Sequence, residues 1–253
     1  MAETKADYRL LIVEDDPIIA RVLETILKDS GFVVDEPVNS GEKAIARVAL
    51  SPPGLVLMDI DLLGKISGIE TAWILLHIFS VPVIFVTGHD EESVLGHAKE
   101  ADPFGFLVKP VNQTILNTTI QVSINLYHKI CGTTEGKTGG LLPDQLHDIS
   151  GSLKSALILD DQYRILWMNG SAEFLLERSG EDIFLNNGRE LLLFHDPESG
   201  ETADILSLDP INERPLVLDG IVHERLVMPR VFMINDIFGD LSGYYITLEP
   251  ADH

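Results

Sequence analysis

Four short stretches of this sequence hold the side chains best suited to chemistry. Glu14-Asp15-Asp16 is a run of three carboxylates, and Asp59 stands 44 positions beyond Asp15. Thr87-Gly88 offers a hydroxyl beside a residue with no side chain, and Lys109-Pro110 offers an ammonium group. Brought together, the carboxylates would repel one another. A hard divalent cation among them removes that difficulty, since Mg²⁺ takes carboxylate and carbonyl oxygen. A lysine and a hydroxyl opposite the cation suit a tetrahedral anion whose charge needs neutralising.

Each stretch follows a short apolar run: Leu10–Val13, Leu55–Met58, Val83–Val86 and Phe106–Val108, with Val33–Val34 as a fifth run. Such runs read as strands buried on both faces. Helical patterns lie between them. Ile18/Ile19, Val22/Leu23 and Ile26/Leu27 form one stripe, opened by Asp16 as N-cap with Pro17 in the first turn and closed near Gly31. Ile69, Ala72, Trp73 and Leu76 form another, in which His77 reads as structural, and Leu116, Ile120, Ile124 and Tyr127 form a third. Five strand–helix repeats predict an α/β domain with one five-stranded, doubly wound parallel sheet of the flavodoxin-like kind. Parallel strands place their carboxyl ends on one rim, where ligands bind. Residues 22 to 44 positions apart should therefore converge there.

The stretches LLIVEDDP, LVLMDIDLLGKISGIETA, PVIFVTGH and PFGFLVKP, in this order and each at a strand end, resemble the receiver (CheY-like) domain of two-component response regulators over residues 8–128. The resemblance implies that Asp59 is the phosphoacceptor, taking a phosphoryl group from a phosphohistidine on a sensor histidine kinase or phosphotransfer protein. It implies that Mg²⁺ (or Mn²⁺) is held by Glu14, Asp15, Asp59 and the backbone carbonyl of Asp61, Asp15 directly and Glu14 through a water. Lys109 would pair with the phosphoryl oxygens, the Thr87 hydroxyl would bond one of them, and Gly88 would leave space for the donor. Phe106 stands at the place of the aromatic switch, with a plain core role as the alternative. The change would be read on the surface of the fourth helix, fifth strand and fifth helix. Two features depart from the pattern: Glu14 stands where Asp is commoner, and LLGKISG lacks the proline often found after the phosphoacceptor. Asp61 and His89, each two residues beyond a key site residue, are expected to flank the phosphoryl group and set its lifetime.

The whole chain has 253 residues, 45% of them hydrophobic, and a formal net charge of −22. It can bury a core, and without a basic cluster it would be repelled by a nucleic-acid backbone. A single cysteine, Cys131, excludes an internal disulfide and a multi-cysteine zinc site. The start MAETKADYRL lacks the apolar run of a signal peptide, and AWILLHIF is too short to span a bilayer. A cytoplasmic location with no membrane or nucleic-acid partner is the expectation. CGTTEGKTGG at 131–140 reads as a connector. Its Gly132–Thr138 segment has one residue too few between the glycines for a phosphate-binding loop and no strand before it. The expected division is a receiver over 1–130, a Gly-rich linker and helical lead-in over 131–150, and a second domain over 151–253.

In that second domain ALILDDQYRILWMN reads as two strands around an Asp160-Asp-Gln turn, followed by a short helix at Ser171–Leu176. Pro215–His223, Leu226–Ile234 and Tyr244–Leu248 read as later strands. Two strands, short helices and a three-strand meander resemble a PAS domain, an α+β fold with an antiparallel sheet. Trp167, Phe174, Phe184 and Phe194 are expected in its core, and His195 and His223 as surface or satisfied histidines rather than haem ligands. A flavin photoadduct is disfavoured for want of a cysteine, so the PAS ligand is unknown or absent. No cyclase, phosphodiesterase, kinase or DNA-recognition signature follows. Residues 1–130 carry a net −8 and the remainder −14, which argues against a DNA-binding output. The expectation is a response regulator without a separate catalytic domain. It would switch protein partners or form a homodimer, through the helix-four, strand-five, helix-five face or the PAS-like domain. The alternatives are a ligand- or cofactor-sensing PAS protein whose receiver modulates sensing, a fragment of a larger signalling protein, and a Mg²⁺-dependent phosphatase or hydrolase needing a general acid.

Overall fold

The computed structural model describes residues 8–88, 103–132, 154–204, 215–218 and 225–251. His89 and the rest of 89–102, where the fourth receiver helix is expected, lie outside these residues. So do most of the 131–150 connector and His223. The chain divides into two compact units, one of residues 1–142 with Asp236–Gly239 and one of residues 143–235 with 240–253.

The first unit runs β1 (Arg9–Val13), α1 (Pro17–Asp29), β2 (Val33–Val34), α2 (Gly41–Leu50), β3 (Leu55–Met58), α3 (Gly68–His77), β4 (Val83–Thr87), β5 (Gly105–Val108) and α4 (Gln113–Gly132). The strands form one parallel sheet in the order β2-β1-β3-β4-β5. β3 and β4 are buried along their whole length because helices cover both faces, which is why the sequence shows unbroken apolar runs there. Leu10, Ile12, Leu57, Ile84, Leu116 and Ile120 meet in the core on one face of the sheet.

Local signals start the helices. The Asp16 carboxylate accepts from the backbone amides of Ile18 and Ile19, with Pro17 in the first turn. Ser67 and Glu70 close a reciprocal capping box at α3. The apolar stripe on α1 is wider than the face it buries. Leu23 and Leu27, four apart, pack on the sheet, whereas Ile18 and Val22 are exposed. His77 is buried at the end of α3, its ring stacked 4.7 Å from that of Trp73.

The second unit contains β6 (Ser155–Asp160), β7 (Ile165–Met168), α5 (Gly170–Leu176), α6 (Gly180–Ile183), α7 (Gly188–Leu191), β8 (Phe194–His195), β9 (Thr202–Ala203), β10 (Leu216–Leu218), β11 (Arg225–Asn235) and β12 (Leu241–Pro250). They form a seven-stranded sheet in the order β7-β6-β12-β11-β10-β8-β9, and its described pairs are antiparallel. Asp160 fixes the β6–β7 turn, accepting from the amides of Gln162 and Arg164 and pairing with the Arg164 guanidinium at 2.7 Å. Trp167, Phe184 and Phe194 are buried, as expected. Phe174 is not: it is 75% exposed, because α5 turns Ala172, Leu175 and Leu176 inward and leaves Phe174 under the Arg225 guanidinium. His195 is half-buried in β8. Among the described residues no helix is long and apolar enough to cross a membrane.

Candidate functional site

The sheet register assembles the site. Val13 pairs with Met58, so Glu14 and Asp59 leave neighbouring strands side by side, and the Asp59 amide donates to the Val13 carbonyl at 2.9 Å. Thr87 pairs with Val108, so Lys109 follows at the same rim, its amide donating to the Thr87 carbonyl at 2.8 Å. β1 has β2 on one side and β3 on the other, so its carboxyl end is the point where the chain reverses direction across the sheet. Ligand crevices form at such points.

Side chains complete the arrangement. The Lys109 ammonium donates to Asp59 Oδ2 at 2.6 Å and to Glu14 Oε2 at 2.7 Å. The Asp61 backbone amide donates to Asp59 Oδ1 at 3.2 Å. Both Asp59 oxygens are thus held, and the carboxylate has a fixed orientation. Glu14 and Asp59 are buried, at 3% and 6% exposure, and Thr87 is fully buried at the end of β4, opposite Val108. Glu14, Asp15 and Asp59 can each present one oxygen such that all lie within 4.8 Å of one another. An all-oxygen, triply acidic set of this size fits a hard divalent cation.

The remaining expected residues are placed as follows. Asp61 has an exposed side chain. Among the described residues, a Cβ on Gly88 would meet nothing within 4 Å. Phe106 is partly buried, its ring tilted against that of Phe85 at 5.6 Å. His89 lies outside the described residues.

The electrostatics follow from burial and pairing. Burial pushes the Glu14 carboxyl up to about 7; the nearby Asp59 charge adds to this, and Lys109 opposes it. Burial alone would lower the Lys109 pKa, but its hydrogen bonds to Asp59 and Glu14 outweigh this and raise it. The ammonium therefore stays charged. A cation bound among these carboxylates requires Glu14 ionised, so below pH 7 a proton competes with it. Mg²⁺ affinity is expected to rise with pH, by up to about tenfold per unit below pH 7, and to level off above it. Calorimetric titration from pH 6 to 8 checks this, and a flat profile would contradict it.

One residue and one contact escaped the sequence reading. Gly68 begins α3 against Asp59 itself: a Cβ there would lie 1.9 Å from the Asp59 carbonyl oxygen. Its place nine residues after Asp59, ahead of a capped helix, was the available signal. Glu14 also bonds Lys109 directly, a reach that its extra methylene allows.

The response regulator receiver domain family matches residues 10–121. Among similar proteins, the transcriptional regulatory protein PdtaR of Mycobacterium tuberculosis is 25% identical over 129 residues, covering 51% of this chain and 62% of its own. The phyllosphere-induced regulator PhyR of Methylorubrum extorquens is 33% identical over 116 residues, covering 46% of this chain and 43% of its own. The chain thus spans less than two thirds of these relatives. A solved signal receiver domain of a modulated diguanylate cyclase from Desulfovibrio desulfuricans G20 is 33% identical, with a TM-score of 0.44, covering 48% of this chain and 97% of that one. With matching motifs, strand order and rim, residues 10–121 of this chain belong to the response regulator receiver domain family.

Proposed function

We propose that the protein is the response regulator of a two-component phosphorelay, accepting a phosphoryl group on Asp59. The observation that carries this reading is the Lys109 ammonium, within 2.7 Å of buried Asp59 and Glu14, in a rim that also gathers Asp15. An Asp59 oxygen attacks the phosphorus of a phosphohistidine. The O–P bond forms as the P–N bond breaks, and the imidazole leaves with that electron pair. Lys109 moves its hydrogen bonds to the phosphoryl oxygens, neutralising charge where it accumulates. The Thr87 hydroxyl donates to one of them, and Gly88, having no side chain, leaves room for the donor. Glu14, Asp15, Asp59 and the Asp61 carbonyl would hold Mg²⁺ or Mn²⁺, which supplies further positive charge to the phosphoryl oxygens when bound. Phe106, lying on Phe85, turns inward as Thr87 engages the phosphate.

For the second unit we infer a PAS-like module. Numbering its longer strands in chain order, β6, β7, β10, β11 and β12 lie side by side as two-one-five-four-three, with three short helices between the second and third. That order supports the resemblance seen in the sequence, and β8 and β9 extend the sheet beyond it. The net charge of −14 after residue 130 favours a switch of protein partners or self-association over DNA binding. A small molecule released on denaturation and seen by mass spectrometry would favour ligand sensing instead.

Incubation with Mg²⁺ and acetyl phosphate, followed by intact mass, tests the phosphoacceptor reading. One added phosphoryl group is expected, and none in Asp59→Asn. Unlabelled wild-type protein would overturn it. The same labelled protein, freed of donor, reports its lifetime. Exchanging Asp61 and His89 together for Ala should change the dephosphorylation rate, and an unchanged rate would remove their proposed role.

A further inference from the structure

The loop from Ile60 to Ser67 connects Asp59 to α3 and carries the Asp61 carbonyl, yet little in its own sequence fixes its shape. It reads Ile-Asp-Leu-Leu-Gly-Lys-Ile-Ser, with no proline. Asp61, Leu63, Gly64 and Lys65 are exposed, and Ile60 and Ile66 are its buried anchors. Such a loop loses about 1–2 kcal/mol per residue in backbone entropy when ordered, so something outside it must hold it.

The holding group comes from α2. Glu42, half-buried in the first turn of that helix, accepts a hydrogen bond from the Lys65 backbone amide. Burial works against its charge. Hydrogen bonds from Ser40, from its own amide and from the amides of Lys65 and Ile66 outweigh this and keep its pKa below the usual range. Two glycines let the carboxylate reach the loop. A Cβ on Gly41 would lie 2.1 Å from Thr71 Oγ1 and 2.8 Å from the Ile66 side chain, so its absence allows α2 to approach α3 and the loop end. A Cβ on Gly64 would lie 2.8 Å from a Glu42 oxygen, so the carboxylate occupies the space a side chain would take.

We propose that Glu42 is a positioning residue for the phosphoacceptor site: by clamping the Lys65 and Ile66 amides it holds the 60–67 loop, and with it the Asp61 backbone that both bonds Asp59 and offers a carbonyl to the divalent cation. The proposal rests on the phosphoacceptor reading for the meaning of the site, but its test does not depend on phosphorylation. Groups that orient metal ligands typically contribute about 10- to 100-fold to metal affinity. In the full chain, Glu42→Ala is expected to speed amide hydrogen exchange at Lys65 and Ile66 and to weaken Mg²⁺ binding about tenfold, read by calorimetry. Glu42→Gln, which keeps an acceptor oxygen, should recover part of both effects and guards against a variant that fails to fold. Labelling by acetyl phosphate should slow at low Mg²⁺ and recover at saturating Mg²⁺. Unchanged exchange at the two amides would overturn the clamp. Faster exchange with unchanged Mg²⁺ affinity would overturn its link to the site. If wild-type protein binds Mg²⁺ and shows the clamp effects but takes no phosphoryl group, the phosphoacceptor reading falls and the clamp stands.

Discussion

Lys109→Met is expected to slow phosphoryl transfer to Asp59 by about 10²- to 10³-fold, the usual effect of removing one preorganised donor from developing negative charge. Lys109 bonds Asp59 at 2.6 Å and Glu14 at 2.7 Å, and Met offers neither charge nor donor. The same substitution leaves two buried carboxylates facing each other. Breaking a buried pair costs about 3–5 kcal/mol, and the Lys109 side chain is 16% exposed, which places the cost near the lower end. The loss should be largest in chelator and smaller in saturating Mg²⁺, because a cation can take over the neutralising role. Acetyl phosphate labelling rates and thermal melting with and without Mg²⁺ check both parts. A rate within a few-fold of wild type would take Lys109 out of the transfer step.

Gly68→Ala is expected to lower the unfolding free energy by about 1–3 kcal/mol, the range for forcing an extra methyl into a packed site. The methyl would sit 1.9 Å from the Asp59 carbonyl oxygen and 2.9 Å from the Ile60 Cα, and backbone atoms cannot swing aside as a side-chain tip can. Either α3 or the Asp59 segment must shift, so labelling should fall as well. Gly88→Ala is the control, because its Cβ would meet nothing within 4 Å among the described residues and stability should change by less than about 0.5 kcal/mol. Urea unfolding of both variants distinguishes them. Equal stabilities would show that the α3–Asp59 approach is not a tight one.

These effects depend on how the site is distributed along the chain, which also governs what the sequence reveals. The carboxylates, Thr87 and Lys109 were legible because each directly follows an apolar run, and a parallel sheet brings such ends to one rim. Asp16 was legible as a cap because capping is local. Gly68 and Glu42 were not, since a close approach and a clamp depend on which helix lies over which loop. Glu42 looks like an ordinary acid in a first helical turn until α2 is placed beside α3. The two-residue strands β8 and β9, Phe-His and Thr-Ala, carry no apolar run like the Val33–Val34 that marked β2. Phe174 misled for a related reason, because in a helix of only seven residues the apolar count does not settle which face turns inward.

The most direct test of Asp59 as phosphoacceptor is to locate the phosphoryl group chemically. Protein labelled from a phosphohistidine donor, then reduced with borohydride, should carry homoserine in place of aspartate at position 59, since only an acyl phosphate is reduced in this way. Peptide mass spectrometry reads the change, which Asp59→Asn should abolish. Label on a histidine, serine or a different carboxylate, or turnover of the donor with no labelled protein formed, would contradict the account.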